Sequence, residues 1–167
     1  MRSLPSSPNV PEELRTPELT QVMVARLLRE YGASGGLIFA VVREGVRLHV
    51  VPSETVNASG QRIRQDSILD TVITIPPGRR THNQLLQSIC DEVKKETGYR
   101  IDVGSSDPAG TNWTTQAVDR QTARAAIGQL LDSLATPGDF VWDLYYDPAD
   151  GTYGLNFSYI GHAGRAD

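Results

Sequence analysis

The stretch PGRRTHNQLLQSICDEVKKETGYRIDVG, residues 77–104, carries the strongest structural pattern in the chain. A Pro-Gly turn leads to Thr81, and Gln84 follows three residues later. That spacing predicts a capping box, in which two otherwise orphaned helix N–H groups are satisfied at once. Leu85, Leu86, Ile89, Cys90 and Val93 then recur at helical spacing, while Asp91, Glu92, Lys94, Lys95 and Glu96 fall on the opposite side. Gly98 suits a left-handed C-cap, and YRIDV beyond it reads as a strand. The segment thus predicts a helix near 82–97, leading into an extended run.

Upstream, SILDTVITIPPG places four β-branched residues, Val72 to Ile75, before Pro76-Pro77. This predicts a strand with Ile73 and Ile75 on one face and Val72 and Thr74 on the other. Downstream the same order of events repeats. SSDPAG is a loop, NWTTQAVD has a strand-like tail, and TARAAIGQLLDSLATPG is a second helix near 122–134. Thr122 is its cap, and Ala123, Ala126, Ile127, Leu130, Leu131 and Leu134 form its buried stripe. Pro137-Gly138 would end it.

The last ordered piece is FVWDLYYDPADGTYGLNFSYI, which turns at Asp147–Gly151. Pairing Tyr146 with Tyr153 puts Phe140, Trp142, Leu144 and Tyr146 on one face with Tyr153, Leu155, Phe157 and Tyr159. Seven of the chain's eleven aromatics lie here, so the hairpin reads either as core or as a ligand platform. Period-two alternation with a more polar opposite face favours core.

The N-terminal part is organised differently. Residues 1–15 read as a disordered leader of Pro, Ser and Glu. Thr16 caps a helix that opens with Pro17 and Glu18 and stops at Gly32, with Leu19, Val22, Met23, Arg26 and Leu27 as its stripe. GGLIFAVVREGVRLHVVP predicts a hairpin about Glu44-Gly45. With Arg43 opposite Val46, Leu37, Phe39 and Val41 share a face with Leu48 and Val50. Ile38, Ala40 and Val42 lie opposite Arg47 and His49 on a face expected to be half covered. Residues 53–66 lack a consistent period and read as a linker, which divides the chain into a helix–hairpin unit (16–52), a second domain (67–161) and a tail (162–167).

The chain has 167 residues, 39% hydrophobic and 22% charged, enough for one sizeable core. A net charge of −4 argues against a nucleic-acid backbone as the principal partner, since phosphate binding needs a basic footprint. No stretch approaches the apolar length of a membrane span. The N-terminus lacks the apolar core of a signal peptide.

Sites of chemistry are sparse. GASGG at 32–36 lacks the lysine and helix of a phosphate loop, and GSSDPAG does not match a nucleophile elbow. His49, His82 and His162 are far apart, without neighbouring Cys or carboxylates at ligand spacing. Cys90 reads as a small buried hydrophobe. Three glycosylation sequons, at Asn57, Asn112 and Asn156, matter only in a eukaryotic secretory setting. No metal or cofactor is expected, and no enzyme activity. Trp113 sits in a polar loop as either a lid over the core or a contact residue.

Two tandem β-α-β units with these apolar positions resemble the short N-terminal domain shared by secretins and TonB-dependent receptors. The matching pieces are Ile73, Ile75, Leu86, Ile89, Thr97-Gly98-Tyr99 and Ile101, then Val118, Thr122, Ala126 and Leu130-Leu131. The likeness covers about residues 70–160. It implies a non-enzymatic interaction domain of the bacterial cell envelope or periplasm that docks a protein partner through a sheet edge or helix groove. If the protein is exported, its signal has been removed from this chain. The alternative is a cytosolic small-ligand-binding or regulatory module. The fold expected is α+β: a helix and hairpin unit, two β-α-β units, and the aromatic hairpin packed on a small mixed sheet. The partner-binding candidates are Trp113 and the strand Thr115, Gln116, Ala117 and Val118.

Overall fold

The computed structural model describes residues 17–32, 38–44, 47–56, 59–104, 112–134, 140–147 and 149–159. The chain is α+β and divides into two compact units between Ser67 and Ile68. The expected leader 1–15, cap Thr16 and tail 162–167 lie outside the described residues, as do Gly45, Val46, Pro137 and Gly138.

In the first unit, α1 (Pro17–Gly32) packs on β1 (Ile38–Glu44), and Gln21 Nε2 donates to the Val41 carbonyl at 3.3 Å. β1 pairs antiparallel with β2 (Arg47–Val56), and β2 pairs antiparallel with β3 (Arg62–Arg64). Three expectations change here. First, Arg43 pairs with Leu48 and Glu44 with Arg47, where Arg43 opposite Val46 is expected from the sequence. The shift moves the pairing by an even step and leaves the same side chains on each face.

Second, burial is reversed between those faces: His49 and Val51 are buried and Val50 is exposed. His49 reads as polar in the sequence, yet its Nε2 lies 3.6 Å from the Glu44 carboxylate, which makes its burial affordable. Third, residues 53–66 are not a linker. They hold the end of β2 and the whole of β3. β3 is three residues long and exposed at all of them, too short a run for periodicity to reveal. The boundary therefore falls at Ser67, after this hairpin.

The second unit starts with a 3-10 turn, Ile68–Asp70, then β4 (Val72–Ile75), with Ile73 and Ile75 buried as the alternation requires. β5 (Arg80–Thr81) leads directly into α2 (His82–Thr97). The capping box forms: Thr81 Oγ1 accepts from Gln84 N–H at 3.2 Å, and Gln84 Oε1 accepts from Thr81 N–H at 2.8 Å. Gly98 closes the helix at φ +80, a left-handed conformation that favours glycine. β6 (Ile101–Val103), β7 (Trp113–Thr114) and β8 (Val118–Thr122) follow. α3 (Ala123–Asp132) is capped by Thr122, whose Oγ1 accepts from Ala125 N–H at 3.2 Å. β9 (Phe140–Asp147) and β10 (Thr152–Tyr159) form the closing hairpin, with Tyr146 opposite Tyr153 as expected.

The strands do not join into one sheet. β4 pairs antiparallel with β8, the first strand of each β-α-β unit with the other. The later strands form a mixed sheet in the order β6-β10-β9, in which β6 and β10 run parallel. β5 and β7 make a two-residue antiparallel patch. Each helix thus links two different sheets. Because α2 packs against both β4 and β6, it needs a wide apolar face, and His82, Leu85, Leu86, Ile89, Cys90 and Val93 supply it. α3 is enclosed further: seven of its ten residues are buried, among them Arg124. The guanidinium of Arg124 meets the Asp70 carboxylate at 2.5 Å. β8 carries one extra residue opposite Thr74, and at this bulge Arg120 takes φ +46 while its N–H donates to Thr74 Oγ1 at 3.3 Å.

Candidate functional site

The segment expected to be an edge strand, Thr115 to Val118, is divided by the fold. Residues 115–117 are an irregular link between β7 and β8. Thr115 and Ala117 are exposed there, and Gln116 N–H donates to Thr114 Oγ1 at 3.0 Å. Val118 opens β8 and is fully buried in the core. A four-residue run with one member locked in the core and one amide already engaged offers no continuous backbone edge. Trp113, 60% exposed, pairs through its backbone in β7 with Thr81, and the Arg79 guanidinium stands 4.6 Å from its ring centre. That ring covers a surface cation and lies outside the core cluster.

A continuous edge occurs elsewhere. β9 is eight residues long and, among the described strands, lies at the end of the β6-β10-β9 sheet, paired with β10. Its inner-face row, Phe140, Trp142 and Leu144, packs partly buried against the core. Val141, Asp143 and Tyr145 are exposed on the other face. Natural sheets blunt long edges with lysine or proline. FVWDLYYD contains neither, and its charged residues are Asp143 and Asp147. The row ends at Tyr146, 48% exposed, whose ring centre is 4.9 Å from that of Tyr153. Tyr99, just past the cap of α2 and 45% exposed, stands edge-on to both, at 6.4 Å from Tyr146 and 5.6 Å from Tyr153. Burial, with the nearby Tyr99 and Tyr146 phenols adding to it, raises the Tyr153 pKa and holds its hydroxyl protonated. Helix α2 and both strands of the hairpin thus converge on one aromatic cluster at the surface.

The groups that could carry chemistry are otherwise engaged. Cys90 is buried, and burial, followed by the charges of Asp91 and Asp102, pushes its thiol up to about 12. At neutral pH it is a thiol, not the thiolate a nucleophile requires. His82 Nε2 lies 3.2 Å from Ser133 Oγ, but that hydroxyl is 2.6 Å from the Leu130 carbonyl and donates to it. In this arrangement the ring N–H donates to the serine, which is the reverse of what a general base does. No hydrogen-bond partner meets His82 Nδ1 among the described residues, so nothing there orients the ring as in a catalytic triad. Among the described residues no group of three His, Cys, Asp or Glu side chains is placed to hold a metal. No described helix is long and apolar enough to cross a membrane. His162 lies outside the described residues.

That β9 ends its sheet among the described strands is not legible in the sequence, because pairing partners are non-local. Nothing within FVWDLYYD tells whether one or two strands flank it. The signal that could have marked it is the lack of Lys and Pro. The tyrosine cluster was half legible: Tyr146 opposite Tyr153 follows from the hairpin register, but Tyr99 joins them only once β6 pairs parallel to β10. Comparison with family models, with curated proteins and with solved structures finds no match.

Proposed function

We propose that this protein is a non-enzymatic interaction domain of a bacterial cell envelope, and that it docks a protein partner as an added strand on the outer edge of β9. One observation supports this reading: among the described strands, β9, eight residues long and without lysine or proline, ends its sheet. Such an edge presents a row of backbone donors and acceptors that a partner strand satisfies. The row of large side chains along it gives that strand alternating surfaces to read. Support also comes from the resemblance to the secretin and TonB-dependent receptor domain, whose matching apolar positions Ile73, Ile75, Leu86, Ile89, Ile101, Val118, Ala126, Leu130 and Leu131 are all buried in this core. The envelope location rests on that resemblance.

The test is site-specific photo-crosslinking in the protein's own cells, followed by fractionation. A photoreactive residue at Val141 or Tyr145, both exposed on β9, is expected to give a discrete protein adduct in the envelope fraction. The same residue at Arg62 on exposed β3 is expected to give none. An adduct from β3 and not from β9, or the chain recovered only in the cytosol, overturns the reading.

A further inference from the structure

We propose that the Arg79–Trp113 pair is a receptor for a single carboxylate, carried by an Asp or Glu of a protein partner beside an apolar residue. The site is separate from β9, and its occupation does not depend on that strand. Both residues are fixed by the start of α2. The Asn112 carbonyl accepts from the His82 N–H at 2.9 Å, Trp113 pairs with Thr81, and Thr81 caps the helix. Arg79 stands immediately before β5, with its guanidinium carbon over the indole, 4.6 Å from the ring centre. Among the described residues that guanidinium makes no hydrogen bond and no ion pair. Its neighbours in the unit are engaged. Arg100 meets Asp102 and Arg124 meets Asp70, while Arg80 folds back to donate to the carbonyls of Pro76 at 2.5 Å and Gly78 at 3.4 Å.

Stacking holds an arginine by the face of its guanidinium and leaves the in-plane N–H fork for a partner. A side chain held in this way loses less rotamer freedom when it binds. The fork matches a carboxylate, two N–H groups to two oxygens. The surroundings favour an anion. Residues 71–90 and 112–118, the two segments that build the site, contain no Asp or Glu, in a chain of net charge −4. Charge also limits the ligand. Arg80 is tied to the carbonyls of its own turn, so the site offers one guanidinium, which balances a carboxylate and leaves a phosphate dianion half neutralised. Trp113 is 60% exposed even with the guanidinium over it. The rest of the indole is contact surface for an apolar residue next to the acid. Trp and Arg are enriched among the residues that dominate interface energies.

The experiment selects random peptides displayed on phage against the purified full chain. The tightest binder is then synthesised with its acidic residue and with the matching amide, Gln for Glu or Asn for Asp. Expected are peptides with an acid beside an apolar residue that shift the Trp113 indole N–H resonance. The acidic form should bind roughly 3- to 10-fold tighter than the amide. That preference should vanish in Arg79→Gln, an exposed position, and return only in part in Arg79→Lys, which keeps the charge without the fork. Equal binding of the two forms to wild type overturns the carboxylate, as does a preference that survives in Arg79→Gln. Displacement of the acidic peptide by inorganic phosphate, but not by acetate at the same ionic strength, makes a phosphoryl group the ligand and overturns it too. Failure to enrich any peptide, or peptides that leave the Trp113 indole unshifted, overturns the site. None of these outcomes bears on β9, whose crosslinks are read separately.

Discussion

Helices α1 and α3 are equally clear as patterns and opposite as structures. In α3 every apolar position of the expected stripe is buried. In α1 the expected stripe faces outward, with Val22 65% and Leu27 62% exposed. Periodicity reports which residues share a face, and burial also requires something to lay across that face. The first unit supplies α1 with β1, where Gln21 reaches the Val41 carbonyl. The second unit closes around α3 with β8 and the 3-10 turn. Amphipathicity is thus local information, and the covering partner is not.

The largest effect that sharpens this contrast comes from truncating the enclosed side chains. Leu130→Ala and Ile89→Ala each remove a fully buried branched side chain and should lower unfolding free energy by about 2–5 kcal/mol, read from urea midpoints. Val22→Ala and Leu27→Ala in α1 should stay within about 0.5 kcal/mol. Equal losses in the two helices would abolish the distinction.

The buried charge on α3 gives a second, smaller test. Arg124 is almost fully buried, while the Asp70 side chain keeps about a third of its exposure. Removing Asp70 takes away a carboxylate that meets this buried guanidinium. Water reaching the aspartate side moderates the loss, so Asp70→Ala should cost about 1–3 kcal/mol. Arg124→Met, which fills the same space without a charge, should cost less. If Asp70→Ala is the milder change, the pair does not hold the 3-10 turn to α3.

The third test separates the pattern of α2 from the chemistry of its cysteine. Cys90 titrates near 9.0 when unfolded and about 12 in the fold. Between those values the native state holds a proton the unfolded chain has lost, so stability falls as pH rises. The contribution is intact below pH 9 and is lost progressively towards 12, by up to about 1.4 kcal/mol per pH unit. Tyr153, whose pKa is also raised by burial, adds a fall of the same sign at higher pH. Cys90→Ala should therefore show a shallower decline than wild type over this range, whatever its offset at neutral pH. Parallel curves would place the thiol in contact with solvent.

How much of this was legible in the sequence follows one rule. Features fixed by neighbours along the chain were readable: the Thr81/Gln84 box, the left-handed Gly98, the Thr122 cap and the Tyr146–Tyr153 register all occur as expected. Features fixed by distant segments were not. β3, Arg-Ile-Arg, is only three residues long and exposed at each, too short for its pattern to mark a strand. The two-residue β5 and β7 pair with each other, and Thr115–Val118, which reads as an edge strand in the sequence, holds the core residue Val118. The position of β9 at the end of its sheet, among the described strands, is a feature of the same kind. An edge is defined by the strand that is absent beside it.

The smallest expected effect is the one most able to break the opening comparison. Val22→Lys and Leu27→Lys place a charge on each of the two most exposed apolar positions of α1. If water covers that stripe, neither change buries a charge or opens a cavity. Surface substitutions of this kind stay within about 0.5 kcal/mol. Lysine is the better helix former than valine, so Val22→Lys should gain a few tenths of a kcal/mol. A loss above about 1 kcal/mol in either variant would mean that the stripe is covered in solution. Dependence of the wild-type midpoint on protein concentration, absent from the variants, would identify the cover as a second copy of the chain. α1 would then be a buried helix like α3, with its covering surface supplied from outside the chain.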